Sequence, residues 1–382
     1  MGQPAVTPIA VKKTGGAWLD RLFAARDRLI GSARFQRWAA AFPLTRGVAR
    51  KHERALFDLC AGFVYSQTLL ACVRLKLFDM LRNNPLTPSE LAVRLTLPLD
   101  STIRLLKAAA ALGLLSRRGD DRYGLGMLGA PLVGDPGIAA MVEHHSMLYT
   151  DLHDPVALLR GEKRDTRLAQ YWPYADGQTS GLDVEDIAAY TALMSASQPH
   201  VAAEVLDAYS LSRHRHLLDV GGGDGAFLSV AAARAPHLQL SLFDLPPVAA
   251  KASARFLAEG LAGRAKAIGG DFLRDSLPDD ADVITLVRIV LDHSDATALS
   301  ILKGVQRALA PGGVLLLAEP MSRSGADAVT DAYFGLYLFA MGRGRARTFD
   351  ELSALLRQAG FTHIRLLPSR RPLLTSIIQA SV

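Results

Sequence analysis

Leu217-Leu218-Asp219-Val220-Gly221-Gly222-Gly223-Asp224-Gly225-Ala226-Phe227 is an apolar strand that runs into a glycine-rich turn and then into a helix. Glycines are needed there because the backbone must take dihedrals other residues resist, and because a ligand can then lie directly against the main chain. Asp244 follows 25 residues after Asp219, at the end of the next apolar run, Leu242-Phe243-Asp244-Leu245-Pro246. A carboxylate at that point can accept both hydroxyl protons of a ribose. From His216 onward the runs Leu217–Val220, Leu240–Phe243, Val283–Val287, Val314–Leu317, Ile364–Leu367 and Ser376–Ile378 alternate with helical segments. That rhythm predicts a mainly parallel sheet with helices on both faces and a ligand at the carboxyl ends of its strands.

The pattern asks for a nucleoside-containing cofactor without naming it. Gly221, Gly223 and Ala226 fit the dinucleotide fingerprint G-x-G-x-x-G/A, so a nicotinamide-dependent oxidoreductase is one reading. Asp219 inside the strand end, Gly225 after Asp224, and Gly270-Asp271-Phe272 after a third strand favour another. S-adenosyl-L-methionine has no pyrophosphate to cradle but has an ammonium group and an adenine to hold, and carboxylates beside the turn suit the ammonium. No cluster with metal-ligand spacing occurs, so no metal is expected.

With 382 residues the chain exceeds what one hydrophobic core usually organises. Four parts are expected: a basic N-terminal segment (1–54), a winged-helix-like domain (55–135), a helical connector (136–205) and the cofactor-binding domain (206–382). Residues 1–54 hold eleven Lys and Arg against three Asp and Glu. Trp18, Leu19, Leu22, Phe23, Leu29 and Ile30 recur there at helical spacing among Arg21, Arg26 and Arg28. Such a helix suits an anionic membrane surface, or packing against its own protein or a partner subunit.

A helix predicted from about Glu53 to Leu81 carries Leu56, Leu59, Cys60, Phe63 and Val64 on one face, expected as core. Cys60 and Cys72 both read as core residues. Thr87-Pro88-Ser89-Glu90 has the form of a capping box, and Asp100-Ser101 opens a further helix stopped by Gly113. Two short strands around Gly119-Asp120-Asp121 complete a helix, helix, helix and hairpin order. In the connector, Pro155, Pro173 and the stretch Asp176-Gly177-Gln178-Thr179-Ser180-Gly181 mark breaks. No apolar run approaches the roughly 20 residues that span a bilayer, and no signal-peptide pattern opens the chain, so a cytoplasmic address is expected, with peripheral attachment to a membrane through the basic segment.

From about residue 55 to the C-terminus, several ordered motifs resemble the class I small-molecule O-methyltransferases, the family of the plant phenolic and acetylserotonin enzymes. They are the glycine turn, Asp244-Leu245, Gly270-Asp271-Phe272, Ala310-Pro311-Gly312-Gly313-Val314-Leu315-Leu316-Leu317-Ala318-Glu319, Arg347-Thr348-Phe349-Asp350-Glu351-Leu352 and Ala359-Gly360-Phe361. The resemblance implies an α/β fold: a Rossmann-like methyltransferase domain with an N-terminal, mainly helical, winged-helix dimerisation domain. It also implies a homodimer with S-adenosyl-L-methionine as cofactor. Asp219, Gly221 and Gly223 would line the methionine part, Asp244 with Leu245 the ribose, Asp271 and Phe272 the adenine, and Arg288 would add a contact.

The family carries its general-base His in a segment resembling Val287-Arg288-Ile289-Val290-Leu291-Asp292-His293-Ser294-Asp295. Asp292 and His293 stand where His-Asp is usual, so either is the candidate base, and Glu319 matches the acid that orients the family's His. A second such acid is replaced by Ala346. Phe35-Gln36-Arg37-Trp38-Ala39, Phe42-Pro43-Leu44-Thr45-Arg46, Phe57-Asp58-Leu59-Cys60-Ala61-Gly62-Phe63-Val64-Tyr65-Ser66-Gln67 and Leu291–Asp295 look like a bacterial branch that methylates the tertiary 1-hydroxyl of acyclic carotenoids. A hydrophobic small-molecule substrate is therefore expected, against a wall drawn from Tyr333, Phe334, Leu336, Tyr337, Leu338, Phe339 and Met341. A bacteriochlorophyll-type or phenolic acceptor is the alternative. A winged-helix DNA-binding regulator is the reading from another class. Against it, the helix from Ser101 to Leu112 offers only Arg104 and Lys107 as charges, where base readout needs exposed polar side chains, so no nucleic acid is expected.

Overall fold

The computed structural model describes residues 17–162, 165–171, 184–322, 328–371 and 375–382. They fall into two compact units, the first ending at Ala71 and the second running from Cys72 to Val382. Pro173 and the turn-rich stretch 176–181 lie outside the described residues.

The first unit contains α1 (Ala17–Ile30), α2 (Ala33–Ala41) and most of α3 (Arg46–Arg74). Ser32 caps α2 by accepting the Phe35 N–H at 3.2 Å. On α1, Trp18, Leu22, Phe23, Leu29 and Ile30 are all exposed. Leu56, Leu59, Phe63 and Val64 of α3 are exposed too, as is Cys60, which corrects their expected place in a core. Their helical spacing is a true apolar face, but one that a further surface must cover. A second correction concerns length. By length and composition alone α3 could cross a bilayer, with a mean hydropathy of 1.5 over its best 18-residue window, although the sequence suggested no such run.

The expected continuation of α3 to Leu81 is also broken. Lys76 takes φ of 50°, and a separate turn, α4 (Leu77–Met80), buries Leu77 and Phe78. Cys72 is buried as expected. The capping box forms as read: Thr87 Oγ1 accepts the Glu90 N–H and the Glu90 carboxylate accepts the Thr87 N–H, opening α5 (Pro88–Leu95). The next helix, α6 (Leu99–Ala111), begins just ahead of the expected Asp100-Ser101, with Pro98 at its N-cap. β1 (Leu115–Arg118) and β2 (Arg122–Leu125) form the expected antiparallel hairpin, turned by Asp120 and Asp121 at positive φ. The connector is helical: α7 (Pro136–Asp151), α8 (Pro155–Leu159), α9 (Arg167–Tyr171) and α10 (Val184–Ala208), the last continuing through Pro199.

The remainder alternates as the sequence required: β3 (His216–Val220), α11 (Ala226–Arg234), β4 (Gln239–Asp244), α12 (Pro246–Ala258), β5 (Ala265–Gly269), β6 (Ala281–Val287), α13 (Asp295–Ala308), β7 (Leu309–Glu319), α14 (Ala328–Met341), α15 (Phe349–Gln358), β8 (His363–Leu367) and β9 (Ser376–Ser381). The sheet order is β5-β4-β3-β6-β7-β9-β8, parallel from β5 to β7, with β9 antiparallel to both β7 and β8. Successive side chains point to opposite faces. Leu217, Leu240, Leu242 and Val283 enter one buried layer, Leu218, Val220, Ile284 and Leu286 the other. Each fully buried aliphatic side chain contributes roughly 1.5–3 kcal/mol. Two packed faces therefore hold rigid the strand ends where β3, β4 and β6 meet their loops.

Candidate active site

β3 ends in Asp219 and Val220, and the chain then turns through Gly221 and Gly223, whose φ values are 71° and 63°. A Cβ on Gly221 would also lie 2.4 Å from the Ile289 side chain. Asp244, at the end of β4, holds the turn: its carboxylate accepts the Gly223 N–H at 2.8 Å and the Leu245 N–H at 2.7 Å. Burial pushes the Asp244 carboxyl up to about 6. Two backbone donors fix its orientation and leave lone pairs for a diol.

Asp219 lies beneath the turn, its Oδ1 accepting the Thr285 hydroxyl at 2.6 Å. Its Oδ2 is buried and finds no hydrogen-bond partner among the described residues. Burial, with the Asp244 charge as a smaller cause, pushes this carboxyl up to about 7. A fully buried carboxylate without a cation is costly. An ammonium group nearby would remove the cost, so the residues present fit S-adenosylmethionine.

Asp271 is built into its own turn, accepting the Leu273 N–H and pairing with Arg274 at 3.5 Å. Phe272 stands beside Gly221 and meets the His293 ring edge-on at 5.8 Å between centroids. Arg288 has φ of 59°, and its guanidinium donates to Ser197 Oγ at 2.8 Å, to the Gln198 side chain and to the Met194 carbonyl. These three side-chain contacts are all with α10, so any hold on a cofactor is shared with that helix. Arg255, which the sequence did not single out, makes a parallel link from α12, to Asp224 at 2.5 Å and to Ser195 Oγ at 3.1 Å.

The segment from Ile289 to Ser294 is a strap fixed from two sides. Glu319, at the end of β7, accepts the N–H groups of Ile289 and Val290 at 3.0 and 2.7 Å. Arg347, buried, donates to the carbonyls of Val290 and His293 at 2.8 and 2.6 Å and to Asp295 at 2.8 Å. Burial first, and then the Asp292 charge, raises Glu319 to about 8. Asp292 rises to about 7 through burial, opposed by Arg288 and Arg343. His293 falls to about 4 through burial and the positive charges of Arg343 and Arg347, which leaves its imidazole neutral.

Leu291 enters a different environment. It packs with Tyr337, Leu338 and Met341 of α14 and with Leu148, Leu158 and Leu168, and Tyr333 and Phe334 lie against the same cluster. Of the expected acceptor wall, Leu336 and Phe339 are instead exposed. A cavity of about 270 Å³ lies against Asp331, Gly335 and Phe339, on the helix face turned away from Tyr333 and Tyr337.

A model of the O-methyltransferase domain matches residues 149–362, and one of the O-methyltransferase dimerisation domain matches 57–134. The second match supports a homodimer and takes in the uncovered apolar face of α3 from Phe57 onward. Demethylspheroidene O-methyltransferase of Cereibacter sphaeroides is 43% identical over 367 residues, 96% of each chain, and its namesake in Rhodobacter capsulatus is 38% identical over 381 residues, 99% of this chain and 92% of that one. A methyltransferase of calicheamicin biosynthesis, solved with S-adenosylhomocysteine (SAH) bound, superposes with a TM-score of 0.70 at 28% identity, covering 86% of this chain and 98% of its own. Sequence, fold and glycine-turn chemistry agree: the chain belongs to the O-methyltransferase family and takes S-adenosylmethionine as its cofactor.

Proposed function

We propose that the protein methylates the tertiary 1-hydroxyl of an acyclic carotenoid such as demethylspheroidene, collected at a membrane surface by the basic segment 1–54. The carrying observation is the apolar cluster of α7, α8, α9 and α14 that receives Leu291, directly beside the cofactor strap. Such a wall suits a long hydrocarbon better than a compact polar acceptor. The names of the two bacterial relatives support the same substrate class. The exposed apolar residues of α1 among its arginines support the surface role.

The cofactor supplies an electrophilic methyl group on a sulfonium. The protein must then align the oxygen with it and exclude water. Asp219, Asp244 and Phe272 would hold the donor. Glu319 acts as a positioning residue by fixing the strap. Asp292 and His293 frame the donor side in this reading, because Leu291 is the strap residue packed into the acceptor wall and the His293 ring packs on Phe272.

Incubating the protein with methyl-labelled S-adenosylmethionine and lipophilic extracts, followed by mass spectrometry, tests this. One labelled methyl on a hydroxylated acyclic carotenoid is expected. Label confined to a phenolic or bacteriochlorophyll-type acceptor would overturn the proposal.

A further inference from the structure

Two histidines that the strap chemistry does not use face two tyrosines across the acceptor wall. On α7, His145 Nε2 lies 2.7 Å from Tyr333 Oη, and His144 Nε2 lies 2.6 Å from Tyr337 Oη. The two tyrosine rings, one helical turn apart on α14, stack at 5.8 Å. The two pairs set four polar groups into an otherwise apolar wall.

The His145 pair has a defined direction. Its Nδ1 lies 2.5 Å from the Met141 carbonyl, which can only accept. In the neutral imidazole Nδ1 therefore carries the hydrogen, Nε2 is the acceptor, and Tyr333 donates its phenolic hydrogen to it. The Tyr333 oxygen keeps acceptor capacity, and the residue is only partly buried. A histidine oriented by a third group and coupled to a hydroxyl has the logic of a base with its orienter.

We propose that Tyr333 receives the acceptor's hydroxyl hydrogen and passes the proton to His145, so that these two residues, not the strap, carry the acid–base step. The assignment rests on the methyl-transfer reading above. The acceptor oxygen forms its bond to the methyl carbon as the carbon–sulfur bond breaks. The O–H bond breaks with it: that proton goes to Tyr333 Oη while the phenol's own proton moves to His145 Nε2. The resulting imidazolium discharges to water, and Tyr333 ends as it began. Burial pushes the Tyr333 phenol up to about 12, so it rests as a phenol between turnovers. The same hydrogen bond aims a lone pair of the alcohol away from Tyr333, toward the donor. His144 and Tyr149 on α7 and Tyr337 on α14 are the other titratable groups around the pair.

The test uses full-length enzyme with demethylspheroidene in detergent micelles. Tyr333→Phe should lower kcat about 100-fold, a typical general-base contribution, with calorimetric affinity for S-adenosylmethionine unchanged. His145→Gln, whose amide oxygen can still accept from Tyr333 but cannot hold a proton, should lower kcat to a similar degree and should abolish the fall of kcat at low pH. Nitrogen-15 spectra of the imidazoles read the pair without turnover, and should show His145 with hydrogen on Nδ1 and a bare Nε2. Wild-type kcat in Tyr333→Phe, a retained acid limb in His145→Gln, or hydrogen on Nε2 of neutral His145 would each overturn the relay. Wild-type enzyme that leaves demethylspheroidene unmethylated would instead sink the substrate reading, and the imidazole spectrum would still decide the hydrogen-bond direction.

Discussion

Arg347 donates to the backbone carbonyl of His293 at 2.6 Å from a side chain that is only 2% exposed. With Glu319 holding the N–H groups of Ile289 and Val290 from the other side, the strap is gripped by one buried cation and one buried carboxyl. The Asp295 partner of Arg347 is half-exposed, so the value of the arginine lies in the two carbonyls rather than in the ion pair.

Arg347→Met should therefore destabilise the fold by about 2–4 kcal/mol, the cost of stranding one buried and one part-buried acceptor. Chemical denaturation gives the number. Affinity for the cofactor should fall as well, since Phe272 and His293 lose their mutual register. A variant as stable as wild type would mean the strap is held by Glu319 alone.

Asp244→Ala removes the carboxylate that orients the glycine turn and that, in the proposed site, would hold the ribose. Loss of charge-assisted hydrogen bonds predicts S-adenosylmethionine binding weaker by about 2–4 kcal/mol. Unchanged calorimetric affinity would take Asp244 out of the site.

The pH dependence of the ligand-free protein follows from its buried carboxyls. Asp219, Asp292 and Glu319 titrate near 7 to 8 folded, against about 4 unfolded, so the folded state binds more protons and stability falls as pH rises across that range. His144 and His293, held near 4, work the other way, an effect that fades as pH rises through about 6.5. From pH 6.5 to 8 the three carboxyls outweigh them. The thermal midpoint should drop over that interval, and drop less with S-adenosylmethionine present, whose ammonium would favour the ionised Asp219 in the proposed site. A midpoint rising over the same interval would contradict the buried carboxyls.

The glycine turn, the place of Asp244 at a strand end and the alternation of strands with helices were legible in the sequence because each depends on local chemistry: a buried strand, then residues that tolerate left-handed dihedrals. Leu59 and Phe63 show where such reading stops. Helical periodicity identifies an apolar face but not what covers it. The contacts of Arg347 with the strap and of His145 with Tyr333 were beyond reach for another reason, since the partners stand 54 and 188 residues apart and nothing in the spacing of α7 and α14 announces the pairing.

His293→Ala and Asp292→Asn separate the strap from the relay. If both residues frame the donor, His293→Ala should weaken cofactor binding while kcat at saturating cofactor falls far less than the roughly 100-fold expected for a lost base. Asp292→Asn should behave likewise. A drop of that size in either variant, with binding intact, would return the proton-accepting role to the strap.

The apolar surface of the first unit should divide between two occupants. Leu59 and Phe63, one helical turn apart, are 81% and 70% exposed, and both lie within the dimerisation-domain match. Replacing both with Glu costs the isolated chain little, because neither is packed in it, but places like charges where two copies would meet. Sedimentation should then report monomers. Removing residues 1–45 deletes seven basic and two acidic side chains, together with α1 and α2, and stops one residue short of α3. That variant should remain dimeric, bind S-adenosylmethionine as before, and lose flotation with vesicles containing phosphatidylglycerol, a loss that added salt should reproduce in the intact protein. A truncated protein that floats as well as the intact one would show that the basic segment has no part in reaching a membrane-borne acceptor. Monomers after truncation would show that α1 and α2 belong to the subunit interface instead.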